Sequence, residues 1–146
     1  MRLTYKCDYA LKTILDLAVH YGGGPVSMHE LAKRQDMPLK FVEQILLSLK
    51  RAGFVKSRRG NVGGYLLARH PSQITVGEVV RYIDGPLEPI ACTDERYKDC
   101  RDTVRCAFRS IWQEVGRETA RIVDAVTFED LVKKTSRSAN TPSYQI

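Results

Sequence analysis

Phe54-Val55-Lys56-Ser57-Arg58-Arg59-Gly60-Asn61-Val62-Gly63-Gly64-Tyr65-Leu66-Leu67-Ala68-Arg69 is the stretch on which the fold turns. Two short runs of strand-forming residues, 54–57 and 65–68, flank a glycine-rich tip, the pattern of a β-hairpin. The hairpin is basic and carries no acid. Upstream, the spacing of Leu11, Ile14, Leu15, Ala18 and Val19 predicts a helix over 9–21, ended by Gly22-Gly23-Gly24-Pro25. Ser27 with Glu30 three residues on is a capping-box signature that opens a short second helix reaching about Arg34. Gln35-Asp36-Met37 reads as a turn, and Pro38 suits the first turn of a third helix, where its missing N–H costs nothing. That helix carries Phe41, Val42, Ile45, Leu46 and Leu49 and stops at Gly53. Helix, short helix, helix and basic hairpin in that order predict a winged helix-turn-helix, with the third helix for recognition and the hairpin as wing.

Downstream, Thr75 caps a helix predicted over 76–84, which Gly85-Pro86 closes. From about Arg105 a long helix is expected. Its Phe108, Trp112, Val115, Thr119, Ile122 and Val126 recur in steps of four and three, a coiled-coil seam that Ile111 and Val123 widen. Such a broad apolar face predicts packing on a twin chain. The organisation expected is therefore a winged helix-turn-helix domain over 1–84 and a cysteine-bearing loop over 85–106. A dimerisation helix with a short terminal helix follows over 107–134, then a disordered tail over 135–146. The fold class is mainly α with a small β-wing.

The chain of 146 residues is 43% hydrophobic and 27% charged, a globular composition. No apolar run is long enough to span a membrane, and no signal-peptide core opens the sequence, so a cytoplasmic protein is expected. The net charge of +6 is unevenly spread. Residues 1–70 hold twelve Lys/Arg against five Asp/Glu, whereas 71–146 hold eleven against twelve. The densest part, 33–69, has nine basic residues against Asp36 and Glu43. A charge run is commonly only a solvated face, but one-sided excess over the third helix and the wing is the footprint of a nucleic-acid binder.

Cys92, Cys100 and Cys106 form C-x7-C-x5-C in a polar loop that is poor material for a core. Three soft thiolates suit zinc or an iron–sulfur cluster, each needing a fourth ligand; reactive redox thiols and inert packed residues are the other readings. The lack of C-x2-C pairs disfavours a zinc ribbon. The histidines His20, His29 and His70 stand beside no nucleophile that suggests a triad or dyad, so no enzyme is expected.

Met1-Arg2-Leu3-Thr4 with Lys6 and Tyr9-Ala10 resembles the opening of the Rrf-two family of bacterial regulators. So do Phe41-Val42-Glu43-Gln44, Arg51-Ala52-Gly53-Phe54-Val55, Arg59-Gly60 with Gly63-Gly64-Tyr65, and Thr75-Val76-Gly77-Glu78. The resemblance spans roughly residues 1–134. It implies a homodimeric winged-helix transcription factor whose operator affinity is controlled by a 2Fe-2S or 4Fe-4S cluster, sensing redox, nitric oxide or iron–sulfur status. Cys92, Cys100 and Cys106 match the family's cluster thiolates, although the first gap is longer than in its best-known members. The histidine that serves as fourth ligand in the IscR-like pattern is replaced here by Arg109, which cannot ligate. The NsrR-like pattern uses an aspartate from the partner subunit, which Asp8 matches; Cys7 beside it is the rival.

On double-stranded DNA, Lys40 and Gln44 would donate to base edges or phosphates, and Glu43 would accept from a cytosine amino group. Ser27 would meet a phosphate, and Arg58, Arg59 and Asn61 the flanking minor groove or its phosphates. A two-fold dimer implies a roughly palindromic operator. The alternatives are a cluster-free regulator switched by thiol oxidation or a protein partner, and a zinc-bound winged-helix protein-interaction module.

Overall fold

The computed structural model describes residues 2–94, 96–100 and 105–139. Helix α1 (Tyr5–Val19) starts four residues before the expected boundary, because Thr4 caps it by accepting from the Cys7 N–H. Helix α2 (Met28–Gln35) is opened by a complete capping box: Ser27 Oγ accepts from the Glu30 N–H, and Glu30 accepts from the Ser27 N–H at 2.8 Å. Asp36 closes it in the left-handed region, φ 49°, a conformation a short polar side chain tolerates. Helix α3 (Leu39–Arg51) follows Pro38, which stands at the N-cap just outside the first turn. The wing is an antiparallel pair, β1 (Val55–Arg58) and β2 (Gly64–Leu67), in register Val55 to Leu67 and Arg58 to Gly64. Each strand is displaced by one residue from its expected range, β1 later and β2 earlier in the chain.

One core serves all of these elements. Ile14 and Leu17 of α1, Leu31 of α2, and Val42, Ile45, Leu46 and Leu49 of α3 pack with Phe54, Val55 and Leu67 of the wing root. Helix α4 (Val76–Asp84), capped by Thr75, adds Val79. A second small cluster joins Cys7, Val80 and Leu87, with Ala120 and Val123 packed against it.

The dimerisation helix expected from Arg105 begins later: α5 spans Arg109–Asp124, and its cap residue Phe108 offers no side-chain hydrogen bond. Its seam is divided. Val123 turns inward against α4 instead of widening the outer stripe, and Gly116 is buried against Glu88 and Pro89. Phe108, Ile111, Trp112, Val115 and Ile122 face outward, with Phe108 63% and Ile122 58% exposed.

The terminal helix differs most from expectation. Helix α6 (Phe128–Ala139) runs past Lys134, so residues 135–139 are helical and not tail; the Thr135 and Ser136 hydroxyls donate back to the Val132 carbonyl. The rest of the expected tail, 140–146, lies outside the described residues. Nor is α6 an appendage of α5. Phe128 is fully buried in the main core, the Phe128 N–H donates to the Ile74 carbonyl at 3.0 Å, and the Val76 N–H donates to Val126. The chain thus returns to the domain it left.

Candidate nucleic-acid interface

The helical period sorts α3 into two faces. Val42, Ile45, Leu46 and Leu49 point into the core, which leaves Lys40, Glu43 and Gln44 exposed on the opposite side, one turn apart. Phe41 sits at the boundary, edge-to-face with Tyr9 at 5.6 Å. The Arg34 guanidinium grips the Asp16 carboxylate through two hydrogen bonds of 2.8 and 2.7 Å, fixing α2 on α1. Lys50 Nζ donates to Ser57 Oγ at 2.7 Å and ties the end of α3 to β1. This exposed face of α3 therefore stands on a braced scaffold.

Arg58, Arg59 and Asn61 are all exposed on the wing. Among the described residues Lys40, Arg58 and Arg59 form no ion pair, so their charge is not internally neutralised. Ser27 is half-buried; its oxygen accepts from Glu30, which leaves its hydroxyl proton free to donate outward.

Sequence reasoning missed what holds the wing root. Val26, just before α2, pairs with Tyr65 through two backbone bonds of 2.9 and 2.8 Å, adding a third short strand contact. The signal lies in Gly64: a Cβ there would come within 2.5 Å of the Val26 carbonyl oxygen, so only glycine permits the approach. The α4–α5 latch was missed as well. Arg81 donates two hydrogen bonds, 2.6 and 2.8 Å, to Asp124, holding that carboxylate below its ordinary pKa range. Their separation of 43 residues leaves no periodic signal to find.

The cysteine residues fall into two environments. Cys92, on a 3-10 turn (Ala91–Thr93), Cys100 and Cys106 are half-buried free thiols. Among the described residues no three His, Cys, Asp or Glu side chains are gathered as a metal site. Cys7 is fully buried beside Val80 and Leu87. Burial first, then the Asp84 carboxylate, pushes its thiol up to about 12, which suppresses the thiolate a metal needs. Asp8 is half-exposed on the first turn of α1, and Lys12 Nζ donates to it at 2.6 Å.

No described helix is long and apolar enough to cross a membrane. Residues 3–134 match the family model for Rrf2, the iron-dependent transcriptional regulators. The HTH-type transcriptional regulator IscR of Xenorhabdus nematophila is 34% identical over 133 residues, covering 91% of this chain and 80% of that protein. The solved structure of T. potens IscR has a TM-score of 0.79 at 31% identity, covering 99% of this chain and 95% of its own. CymR, the global cysteine regulator of B. subtilis, has a TM-score of 0.78 at 31% identity, covering 92% and 98%. With recognition helix, wing and core all in place, the chain belongs to the Rrf2 family of DNA-binding transcriptional regulators and is not an enzyme.

Proposed function

We propose that the protein is a homodimeric regulator whose affinity for a roughly palindromic operator is set by an iron–sulfur cluster on Cys92, Cys100 and Cys106. The observation that carries this reading is the position of the three accessible thiols. They lie on the segment between α4, which belongs to the DNA-reading core, and α5, whose apolar stripe is open. The donor set fits such a group: three soft, half-exposed thiols free of disulfides, with an exposed carboxylate at Asp8. Cys7 fits poorly, since its thiol is buried and held protonated.

When bound, the cluster supplies a cross-link between thiolates that oxidants, nitric oxide or iron loss can break. The chain's own residues do the rest. Cys92, Cys100 and Cys106 order the loop, and Asp8 from the partner subunit would close the fourth position with Lys12 keeping its charge balanced. Through the Arg81–Asp124 latch, the order of the loop and the seat of α5 bias the angle of the two reading heads. By linkage, the change in operator affinity equals the difference in cluster affinity between the two dimer forms.

Anaerobic purification with iron and sulfide analysis tests this reading. A brown protein whose colour is lost in Cys100→Ala, with altered DNA binding, supports it; an iron-free, colourless protein after reconstitution defeats it. The dimer has its own test. Ile122→Arg on the open stripe should halve the mass seen by sedimentation, and an unchanged mass would place the interface elsewhere.

A second reading rests on one observation, that the three half-exposed loop thiols are free. In it two of Cys92, Cys100 and Cys106 join in a disulfide with no metal, their two electrons and two protons passing to an external oxidant such as a peroxide or a small-molecule disulfide. A colourless protein whose DNA affinity responds to reductant would establish it.

A further inference from the structure

The tip of the wing holds a side chain that the interface described above does not use. The Gly63 N–H donates to the Gly60 carbonyl at 3.0 Å, closing a four-residue turn with Asn61 and Val62 at its two corners. The turn is rigid. Gly60 has φ +122°, and a Cβ on Gly63 would lie 2.6 Å from the Arg58 carbonyl and 2.8 Å from that of Gly60. The root is fixed by the Val26–Tyr65 pairing. Turn corners favour Gly, Asn, Asp and Ser, yet one corner here is a β-branched aliphatic residue, 77% exposed. Val62 belongs to neither hydrophobic cluster, so folding does not account for it.

We infer that Val62 is an apolar contact of the wing with the sugar walls of the minor groove, and that it favours a narrow, A·T-rich flank of the operator. The inference rests on the reading that places the wing in the groove. Arg58, Arg59 and Asn61 surround the corner with donors for phosphates and base edges, while Val62 projects the one surface that makes no hydrogen bond. Deoxyribose walls are apolar, and A·T-rich sequence brings them close enough to touch both methyl groups. The contribution is independent of counterion release, because no charge is neutralised.

The test uses duplexes that the wild-type protein enriches from a random pool, with A·T-rich or G·C-rich flanks, titrated by fluorescence anisotropy at several KCl concentrations. Val62→Ser should weaken binding to the A·T-flanked duplex about five- to tenfold, the scale of burying one or two methyl groups. Its salt slope should match that of the wild type, Val62→Ile should retain affinity, and the loss should shrink on G·C flanks. Arg59→Ala is the contrast, with a slope lower by about one. Val62→Ser within twofold of wild type, while Arg59→Ala is impaired, overturns the role of Val62 and leaves the wing on DNA. If neither variant differs from wild type, the wing itself is off the DNA and both readings fall.

Discussion

Two segments of this protein leave a helix through a glycine in the left-handed region: the wing after Gly53, φ 76°, and the cysteine loop after Gly85, φ 91°. From that common start they diverge. The wing is braced by its own strand pairing, Val55 to Leu67, by Lys50 to Ser57 at the end of α3, and by Val26 to Tyr65 from across the domain. Among the described residues of the loop the hydrogen bonds join near neighbours instead: Thr93 to Ile90, Tyr97 to Asp94, Arg96 to Asp94 and Arg109 to Cys106. The Arg96 guanidinium and backbone N–H hold the Asp94 carboxyl down to about 2, but that bond spans two residues and orders little else. The braced wing suits the DNA contacts proposed for it, which require side chains held in place. The locally bonded loop suits the sensing role proposed for it, which requires an order that something outside the chain can confer or withdraw.

The sharpest way to break this contrast is to attack the scaffold. Phe128→Ala, in the main core, should cost about 3–5 kcal/mol in urea unfolding, because a fully buried aromatic leaves a cavity. A loss below 1 kcal/mol would mean that α6 docks only loosely. Gly77→Ala comes next. A Cβ there would overlap the Asp124 carboxylate and lie 2.9 Å from Val123 Cγ2, so α5 must shift on α4. About 1–3 kcal/mol is expected from the overpacking, together with altered operator affinity measured by anisotropy.

Ser27→Ala removes the acceptor of the α2 capping box and should lower stability by about 1 kcal/mol in the same unfolding assay. Weaker DNA binding should accompany it if the hydroxyl also reaches phosphate. The Arg81–Asp124 latch gives a smaller, pH-dependent effect. The folded pKa of Asp124 is depressed, so its contribution is complete above the ordinary carboxylate range and fades as pH falls through and below it. Both side chains are more than a third exposed, so solvent screening reduces the pair to about 0.5 kcal/mol. Asp124→Asn should flatten that part of the acid stability profile, read from thermal melts between neutral and acidic pH.

At the small end, Cys92→Ala in metal-free protein should change stability by under about 0.5 kcal/mol, since the hydrogen bonds of the described loop residues are local. A larger loss would show that the loop is as firmly built as the wing and would erase the contrast.

Much of the reading head is legible in the sequence because its signals are local. A capping box spans four residues, the inward stripe of α3 spans about two turns, and the tip glycines mark a turn that other residues would strain. The helix ends at Tyr5 and Ala139 were less legible, since the Thr4 cap starts α1 before its apolar pattern and α6 runs on past its own into a Thr/Ser-rich stretch. Among the candidate ligands, Cys7 and Asp8 are neighbours of similar spacing to the loop. Burial alone separates them, and burial is set by α4 packing across α1.

The amino-acid sequence by itself determined the order of elements, the basic excess over α3 and the wing, and the polar setting of the three loop cysteines, all of which depend on residues within a few turns of one another. Only the tertiary structure decided that α6 completes the core of the DNA-reading domain, that Val123 turns inward while Ile122 stays open, and that Arg81 holds Asp124. Those outcomes depend on which surfaces meet after chain reversals of forty residues or more, and apolar periodicity states how wide a helix face is without stating which neighbour covers it.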